Sequence, residues 1–336
     1  MKTIGFLRCA GAAVALAVCS ACAGAPAGEP YSSVLDGPHY KGKTLWVNGM
    51  PVTAARLSPL PRYASFVPDR IPTSHIYEYI SNNYGTYVDI FDYPKSDREI
   101  GSIEHIGGQA CTNVLYGYGK GDFWIVQAHG RIVEYRAPRK FVRKLSDAVG
   151  MPSSCAMNTR GDLAVGIFGG SGRGDVVVYK SASGSGTVMT TQVDAIFFTG
   201  YDDQGDLFAD GWNSKDTFQL VELPVGSNSF QPITTSNAVN FPGSLQWDGK
   251  YFTVFDQNAS AFYRYTISGT TATLKSTVQL TGAADCSQTW IVKGFVYCAD
   301  AGNDNGEVFK YPAGGAPVAA FTGNFVLPLG VTAVRK

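Results

Sequence analysis

The sequence has few charged residues and very few histidines. Asp, Glu, Lys and Arg make up 16 % of the 336 residues, and the histidines are His39, His75, His105 and His129. The last 207 residues therefore contain no histidine, which argues against a histidine-based triad assembled from distant parts of the chain. The sequence also contains no G-x-S-x-G nucleophile elbow. The composition therefore disfavours the common hydrolase mechanisms.

The chain also lacks an excess of charge of either sign. It has 27 acidic and 27 basic side chains, so no global field attracts nucleic acid or an anionic membrane. We expect no nucleic-acid partner. The chain is instead rich in glycine, with 39 residues, and 12 % of its residues are aromatic. This composition favours many short strands joined by tight turns.

The N-terminus resembles a bacterial secretory signal. The first 28 residues contain Lys2 and Arg8, then an apolar stretch near Cys9–Val18, and no acidic residue. This stretch is too short to span a bilayer as a mature helix. Cys22 follows Ser20-Ala21 as in a lipobox, in which the cysteine becomes lipidated, and Cys19 is an alternative. Signal-peptide cleavage without lipidation also fits the small residues around Cys22. We therefore predict a signal peptide or lipobox over 1–23, and a protein that is either a cell-envelope lipoprotein or freely secreted.

Residues 24–74 are rich in proline. They hold eight of the 17 prolines, including those in "SPLPRYASFVP". Proline at this density disfavours both helix and central strand, so we predict a Pro-rich tether. The only expected membrane contact is a lipid anchor at the end of this tether.

Beyond residue 75 the chain repeats itself. Strand-like segments such as "VDIFDYP", "RIVEYRAP" and "EVFKYPAGG" recur, and aligning them gives spacings of 44, 44, 42, 44 and 44 residues. The aligned positions are Phe91, Tyr135, Tyr179, Val221, Tyr265 and Phe309. From the second unit on, a glycine turn and another strand precede each segment, as in "TRGDLAVG". A four-stranded antiparallel sheet at this spacing is typical of a propeller blade.

The number of units predicts how the ring closes. The first unit lacks an innermost strand, and the C-terminal "NFVLPLGVTAV" matches an innermost strand with nothing after it. Together they complete a blade, which removes the open sheet edges. The prediction is an all-β, six-bladed β-propeller over 75–336, with four-stranded antiparallel blades and a ring closed by the C-terminal strand.

The sequences of individual repeat units resemble those of a known repeat family. The unit "GYDDQGDLFADGWNSKDTFQLVELPVG" resembles the NHL-type repeat. "FPGSLQWDGKYFTVFDQ", followed by "YPAGG", is similar to uncharacterised exported bacterial proteins with NHL-like propellers. The resemblance covers about residues 75–334 and implies a six-bladed propeller. It does not imply one function, since related propellers include binding modules, lactonases and lyases.

The cysteines outside the leader fit the repeat. Cys111 and Cys155 lie 44 residues apart on adjacent predicted innermost strands. Cys286 and Cys298 flank one glycine turn. In an exported chain we predict the disulfides Cys111–Cys155 and Cys286–Cys298. No CxxC or Cys-His spacing typical of a metal site occurs among them.

The loops that follow the second strand of each unit are the candidate binding site. The repeat places all six on one face of the ring, together with the connections from outer to inner strands. Their candidate binding residues are Asn82, Asn83, His129, Asp210, Trp212, Asn213, Asp256, Asn258, Asp300, Asn303 and Asp304. Asn, Asp and Gly also favour turns by themselves.

One of these loops, at 300–306, resembles a calcium loop. Its spacing departs from D-x-[DN]-x-[DN]-G, and Glu307 follows directly instead of six residues later. We expect no dedicated cofactor, with a divalent metal such as Ca²⁺ as the alternative.

The leading functional hypothesis is a monomeric, non-enzymatic, exported propeller that binds a protein, a glycan or a small molecule. One alternative is a metal-dependent lactonase, hydrolase or lyase of the gluconolactonase-like type, which needs Glu, Asn and Asp from several blades around the axis. The residues near the start of the inner strands are Glu104, His105, Asp147, Asp194, Asn240 and Asp285, and they do not share one repeat position. The second alternative is a structural envelope protein without a discrete ligand.

Overall fold

A computed structural model describes residues 45–47, 50–52, 76–82, 87–127, 130–145, 150–168, 174–215, 217–321, 323, 325 and 327–335. The leader and its cysteines, most of the tether, Asn83 and His129 lie outside these residues. The chain divides into two compact units, at 1–64 and 65–336. No helix among the described residues is long and apolar enough to cross a membrane.

The N-terminal unit contains a short hairpin within the segment that we expected to be a tether. Strand β1 (Leu45–Val47) pairs antiparallel with β2 (Met50–Val52). A two-stranded ribbon has only edge strands, and these tolerate a proline such as Pro51.

The larger unit is all-β, and its strands pair in antiparallel groups of four. Group I contains β3 (Ile76–Asn82), β4 (Tyr87–Phe91), β5 (Glu99–Glu104) and the C-terminal β27 (Pro328–Arg335). Group II contains β6 (Gln109–Thr112), β8 (Asp122–Val126), β9 (Ile132–Arg136) and β10 (Lys140–Lys144), and the short β7 (Gly119–Lys120) pairs with β27. Group III contains β11 (Met151–Met157), β12 (Leu163–Phe168), β13 (Asp175–Tyr179) and β14 (Thr187–Thr190), with a 3₁₀ turn at Lys180–Ala182.

The remaining groups continue this order. Group IV contains β15 (Ala195–Tyr201), β16 (Leu207–Trp212), β17 (Phe218–Leu223) and β18 (Gln231–Thr235). Group V contains β19 (Leu245–Trp247), β20 (Phe252–Asp256), β21 (Ala261–Ser268) and β22 (Thr271–Gln279). Group VI contains β23 (Cys286–Val292), β24 (Phe295–Asp300), β25 (Asn305–Lys310) and β26 (Ala319–Phe321).

The positions that the sequence repeat aligns fall in equivalent strands of the structure. The six aligned positions, from Phe91 to Phe309, all fall in the third strand of the predicted units and are at most 7 % exposed. The glycines in the first hairpin turns have positive φ angles of 79–91°, which glycine adopts without steric cost. These turn glycines are Gly121, Gly161, Gly205, Gly249 and Gly294.

The innermost strands surround a central channel. Each of these strands contacts the next: β27 contacts β6, β6 contacts β11, β11 contacts β15, and β15 contacts β19. On the other side, β23 contacts β27. Between β19 and β23 the Ile291 amide donates to Gln246 Oε1 at 2.7 Å. The C-terminal strand β27 pairs with β3 from Pro328 opposite Asn82 to Arg335 opposite Ile76. The last strand therefore completes the first group, as the tail sequence predicts.

The hydrophobic core lies between the groups. Six clusters of buried side chains each join residues of two adjacent groups. Aromatic rings also stack across these boundaries, including Tyr79 on Phe123 at 3.9 Å and Phe208 near Phe252 at 4.1 Å. The aromatic residues of the strands therefore pack the groups against one another.

Two covalent links and one unexpected strand pair reinforce this arrangement. Cys111–Cys155 joins the innermost strands of groups II and III, and Cys286–Cys298 joins the first two strands of group VI. Both disulfides agree with the sequence prediction. In addition, the outer strands β18 and β22 pair in parallel, with Thr235 opposite Ala272, so groups IV and V form one eight-stranded sheet.

Candidate binding face

The ends of the second strands lie against the connections that lead to the innermost strands. The Asp194 amide donates to the Trp212 carbonyl at 3.0 Å, and the Ala301 amide donates to the Asp285 carbonyl at 2.8 Å. We call the surface formed by these loops and connections the crossover face. The opposite surface, which carries the first hairpin turns, is the turn face.

Asp300 anchors one of the crossover connections. Its carboxylate accepts hydrogen bonds from the amides of Ala284 at 2.8 Å and Asp285 at 2.9 Å. It also accepts from the amides of Gly302 and Asn303 and from Asn303 Nδ2, at 3.0–3.1 Å. Both oxygens are occupied by N–H groups, and the residue is 0 % exposed. The loop that resembles a calcium site is thus organised around hydrogen bonds within the protein.

Asp256 has the same role one unit earlier. Its carboxylate accepts from the Asn240 amide at 2.7 Å, from Asn240 Nδ2 at 3.1 Å and from the Phe241 amide at 3.3 Å. These partners precede the partners of Asp300 by 44 residues, which is the repeat length. The repeat therefore carried a signal for this anchoring role that our sequence analysis missed.

Asp210 is also fully buried. Oδ1 accepts from the Phe198 amide at 3.1 Å, whereas Oδ2 has no hydrogen-bond partner among the described residues. Burial raises the pKa of this carboxyl well above its ordinary value. Asp210, Asp256 and Asp300 all lie on the predicted face, but their carboxylates point into the protein.

The amide residues of the loops divide into two sets. Asn82 is buried and donates to Asp89 Oδ2 at 3.0 Å, and Asn213 Oδ1 accepts from the Lys215 and Thr217 amides in a turn. Asn258 and Asn303 are exposed. Asp304 adopts a left-handed backbone with φ of 49°. Among the described amide residues of these loops, Asn258 and Asn303 offer the most accessible polar groups.

Trp212 belongs to a group of aromatic side chains that no repeat pattern indicated. The Phe197 ring centroid lies 5.2 Å from Phe168, 5.5 Å from Trp212 and 5.6 Å from Phe241. Trp212 and Phe241 are 4.8 Å apart. We call these four residues the aromatic cluster. They come from groups III and IV and from the connection into group V, and each is half-buried.

Phe197 occupies a β-bulge. The register of β15 against β16 shifts between Ile196 and Phe198, so Phe197 is the extra residue. Equivalent bulges occur near the start of three other innermost strands, at Ser153, Ser287 and Leu329. A bulge redirects a side chain out of the regular ladder. All four bulged residues are half-buried and lie near the crossover end of the innermost strands.

The channel contains a cavity of ≈ 30 Å³, which is large enough for water. Apolar and uncharged polar side chains line it together, and the polar ones include Thr199, Ser244, Gln246, Gln288 and Thr289. The described lining contains no carboxylate. The Thr289 hydroxyl is buried and has no partner among the described residues.

Residues 113–119 lie against the turn-side end of the channel. Val114 and Leu115 border the cavity. Gln246 Nε2 donates to the Leu115 carbonyl at 3.1 Å, Trp290 Nε1 donates to the Gly117 carbonyl at 2.9 Å, and the hydroxyls of Tyr118 and Tyr297 are 3.3 Å apart. We call this segment the plug. Group II thus has a longer first hairpin connection than groups III to VI, and this segment contacts groups V and VI.

One group of ligand-type side chains in the described residues is compact enough for a metal. It consists of Cys286, Cys298 and Asp300. The two sulfurs form a disulfide, so neither offers a thiolate. Next to it, burial and the charge of Asp300 raise the pKa of Glu307 to about 7. This carboxyl therefore titrates near neutral pH.

The comparisons with known proteins agree on the fold and on nothing finer. No family model matches the chain, and no curated protein matches it. A solved nidogen/laminin complex contains a chain with TM-score 0.57 and 10 % identity, covering 77 % of this chain and 98 % of that chain. A functionally unknown protein from Desulfotomaculum acetoxidans DSM 771 gives TM-score 0.52 and 8 % identity, with the same coverage. Apo AztD from Citrobacter koseri aligns with TM-score 0.44 and 9 % identity, over 78 % of this chain and 98 % of that chain. The first two likenesses support an all-β propeller fold.

Proposed function

We propose that the protein is an exported, non-enzymatic β-propeller that binds a partner through its crossover face. The observation that carries this proposal is the aromatic cluster, because half-buried Phe and Trp side chains gathered on one loop-rich surface are typical of binding sites. Two buried aspartates hold the backbone beside it: Asp256 accepts from the Phe241 amide and Asp210 from the Phe198 amide. A site that rests on strands and anchored connections holds its geometry better than one on free loops.

We further propose that groups I to VI are the six blades of an NHL-like propeller. Their strand order, the contacts between their innermost strands and the completion of group I by β27 support this number. We propose that the chain acts as a monomer, and the pairing of β27 with β3 within one chain supports this.

The proposed location is the bacterial cell envelope or the surrounding medium. The leader sequence supports export, and two disulfides are in keeping with an oxidising compartment. Lipidation of Cys22 would anchor the protein, with Cys19 as the alternative site. Cys22→Ala should then release the protein from the membrane fraction. Unchanged fractionation of that variant, with Cys19→Ala releasing the protein, would move the anchor to Cys19.

Site-specific photo-crosslinking in producing cells tests the binding face. A photoreactive amino acid is introduced at Asn258 or Asn303 on the crossover face, and at Lys250 or Lys293 on the turn face as matched exposed controls. We expect discrete crosslinked products from the crossover positions only. One similar solved structure is a complex of nidogen with laminin, so a protein partner is one product to look for.

Three results would contradict the proposal. Crosslinks of equal yield from both faces would show that the crossover face is not selective. Crosslinks from the turn face alone would place the binding site near the plug instead. A structural envelope protein without a discrete ligand predicts no distinct product from either face.

A further inference from the structure

We infer that the aromatic cluster binds a neutral carbohydrate, and this inference rests on the proposed binding role of the crossover face. A pyranose ring has one face of C–H groups and a rim of hydroxyls. The C–H face would stack on Trp212 and Phe241, and the hydroxyls would meet the polar atoms beside these rings. Binding sites of this kind combine an aromatic surface with a few well-placed hydrogen-bonding groups.

The geometry of the cluster leaves ring surface available to such a ligand. Phe197 meets Phe168 and Phe241 edge to face, at interplanar angles of 72° and 85°, and Trp212 meets Phe241 at 70°. Edge-to-face packing leaves part of each ring face uncovered. By contrast, the rings packed between the groups, such as Phe208 and Phe252, are at most 2 % exposed. The bulge at Phe197 explains the difference, because it turns that side chain out of the ladder.

One polar atom of the cluster and one beside it have no hydrogen-bond partner among the described residues. Trp212 Nε1 is buried and has no hydrogen-bond partner among the described residues. Ser153 Oγ is likewise buried without a described partner. Ser153 Oγ lies near the side of β12 that carries Phe168. Gly166, two residues before Phe168, faces the same side, and a Cβ added there would lie 3.2 Å from Ser153 Oγ. A buried donor or acceptor without a partner is unfavourable, and a ligand hydroxyl can satisfy either kind. Both atoms lie below the surface, so the side chains around them must shift slightly to admit the hydroxyl.

The charge and size of the site favour a sugar over other ligands. The aromatic cluster and Ser153 carry no formal charge, and the carboxylates of Asp256 and Asp300 are occupied by N–H groups. The Asp210 carboxylate, with Oδ2 unpaired among the described residues, lies two residues before Trp212 but is 0 % exposed. The rings themselves therefore offer no complementary group to a metal ion or a charged ligand. A stable protein interface buries roughly 800 Å² on each partner. Four half-buried rings offer much less than this, and they match one or two sugar rings.

Binding to defined neutral oligosaccharides tests the inference. The full-length purified protein is titrated calorimetrically with cello-, laminari-, malto- and chito-oligosaccharides, and a peptide array is screened in parallel. We expect at least one oligosaccharide class to bind. Trp212→Ala should weaken that binding at least about tenfold, as for a central aromatic contact. Trp212→Phe keeps a ring but loses the N–H, so it should weaken binding severalfold.

The controls separate the ligand class from the site. Phe141→Ala removes an aromatic side chain that is 57 % exposed on the outer strand β10, and it should leave affinity unchanged. Thermal melting checks that each variant is folded. If Trp212→Ala does not fold, the oligosaccharide affinity of Trp212→Phe tests the inference. If folded Trp212 variants bind the oligosaccharide as tightly as the wild type, the aromatic cluster is not the binding site.

The remaining outcomes distinguish this inference from the proposed function. If peptides bind in a Trp212-dependent manner and no oligosaccharide binds, the carbohydrate inference is wrong and the binding face stands. If neither array binds and crosslinking also yields no product from the crossover face, both are wrong.

Discussion

The side chain of Gln288 bonds to both backbone polar groups of Ala110, 178 residues away. Gln288 Oε1 accepts from the Ala110 amide at 3.0 Å, and Nε2 donates to the Ala110 carbonyl at 2.7 Å. Oε1 also accepts from the Val331 amide at 2.9 Å. One buried amide thus connects the innermost strands of groups VI, II and I.

Replacing Gln288 by leucine should destabilise the protein strongly. The change leaves two amides and one carbonyl without their buried partner, and each such group costs about 1–3 kcal/mol. We expect a loss of about 3 kcal/mol in the free energy of unfolding, measured by urea denaturation. Gln279→Leu is the control: its amide bonds to the exposed Ala259 and Ser260 carbonyls, which water can satisfy, and the expected change is within about 0.5 kcal/mol. Equal losses in the two variants would contradict the role of Gln288.

The two disulfides should differ in their contribution to stability. They close loops with sequence separations of 44 and 12 residues. By chain entropy these loops correspond to about 4 and 3 kcal/mol. Removing Cys111–Cys155 as a double alanine variant should therefore lower stability more than removing Cys286–Cys298. Urea denaturation under oxidising conditions measures both, and the reverse order would contradict this account.

Glu307 should make stability fall as the pH rises towards neutrality. Its pKa is raised from 4.5 to about 7, so the folded state retains a proton that the unfolded state loses above about pH 4.5. Since the folded state then binds more protons, stability decreases with pH until Glu307 ionises near pH 7. The loss is at most roughly 3 kcal/mol.

A matched variant isolates this effect. In Glu307→Gln the neutral form is permanent, so its stability relative to the wild type should rise between pH 4.5 and 7 and stay level above that. Denaturation of both proteins at several pH values measures the difference. A constant difference across the range would show that Glu307 does not titrate there.

Removing the C-terminal strand should abolish cooperative unfolding. Val331, Ala333 and Val334 of β27 are 0 % exposed, and β27 contacts β3, β6 and β23. A chain that ends at Leu327 should lose its sharp thermal transition, whereas a chain that ends at Arg335 should keep it. A normal melting curve for the shorter chain would refute closure through the tail.

The sequence predicted the elements that depend on local repetition. The repeat spacing predicts the turn glycines, the third strands and both cysteine pairs. It does so because each unit packs similar residue types at equivalent positions. The 44-residue interval also links the Asp256 and Asp300 anchors, although their burial becomes clear only when the amides they bind are known.

Features that differ between units could not be predicted in the same way. The bulge at Phe197 depends on the pairing register of two strands, which composition does not reveal. The plug occupies one unit only, and the side chains it meets belong to groups V and VI, more than 120 residues later in the chain. The parallel pair β18–β22 likewise joins outer strands whose sequences carry no pairing motif.

The pairing of β27 with β3 sets a condition on biosynthesis. The strand that completes the first group follows the other strands of the ring in chain order, so β3 lacks this partner until β27 has been made. Until that moment the innermost edge of β3 is open, and Tyr77, Tyr79 and Ile80, which are fully buried in the finished protein, lack part of their cover. Chaperone binding during synthesis should therefore concentrate on this early segment and end when β27 emerges.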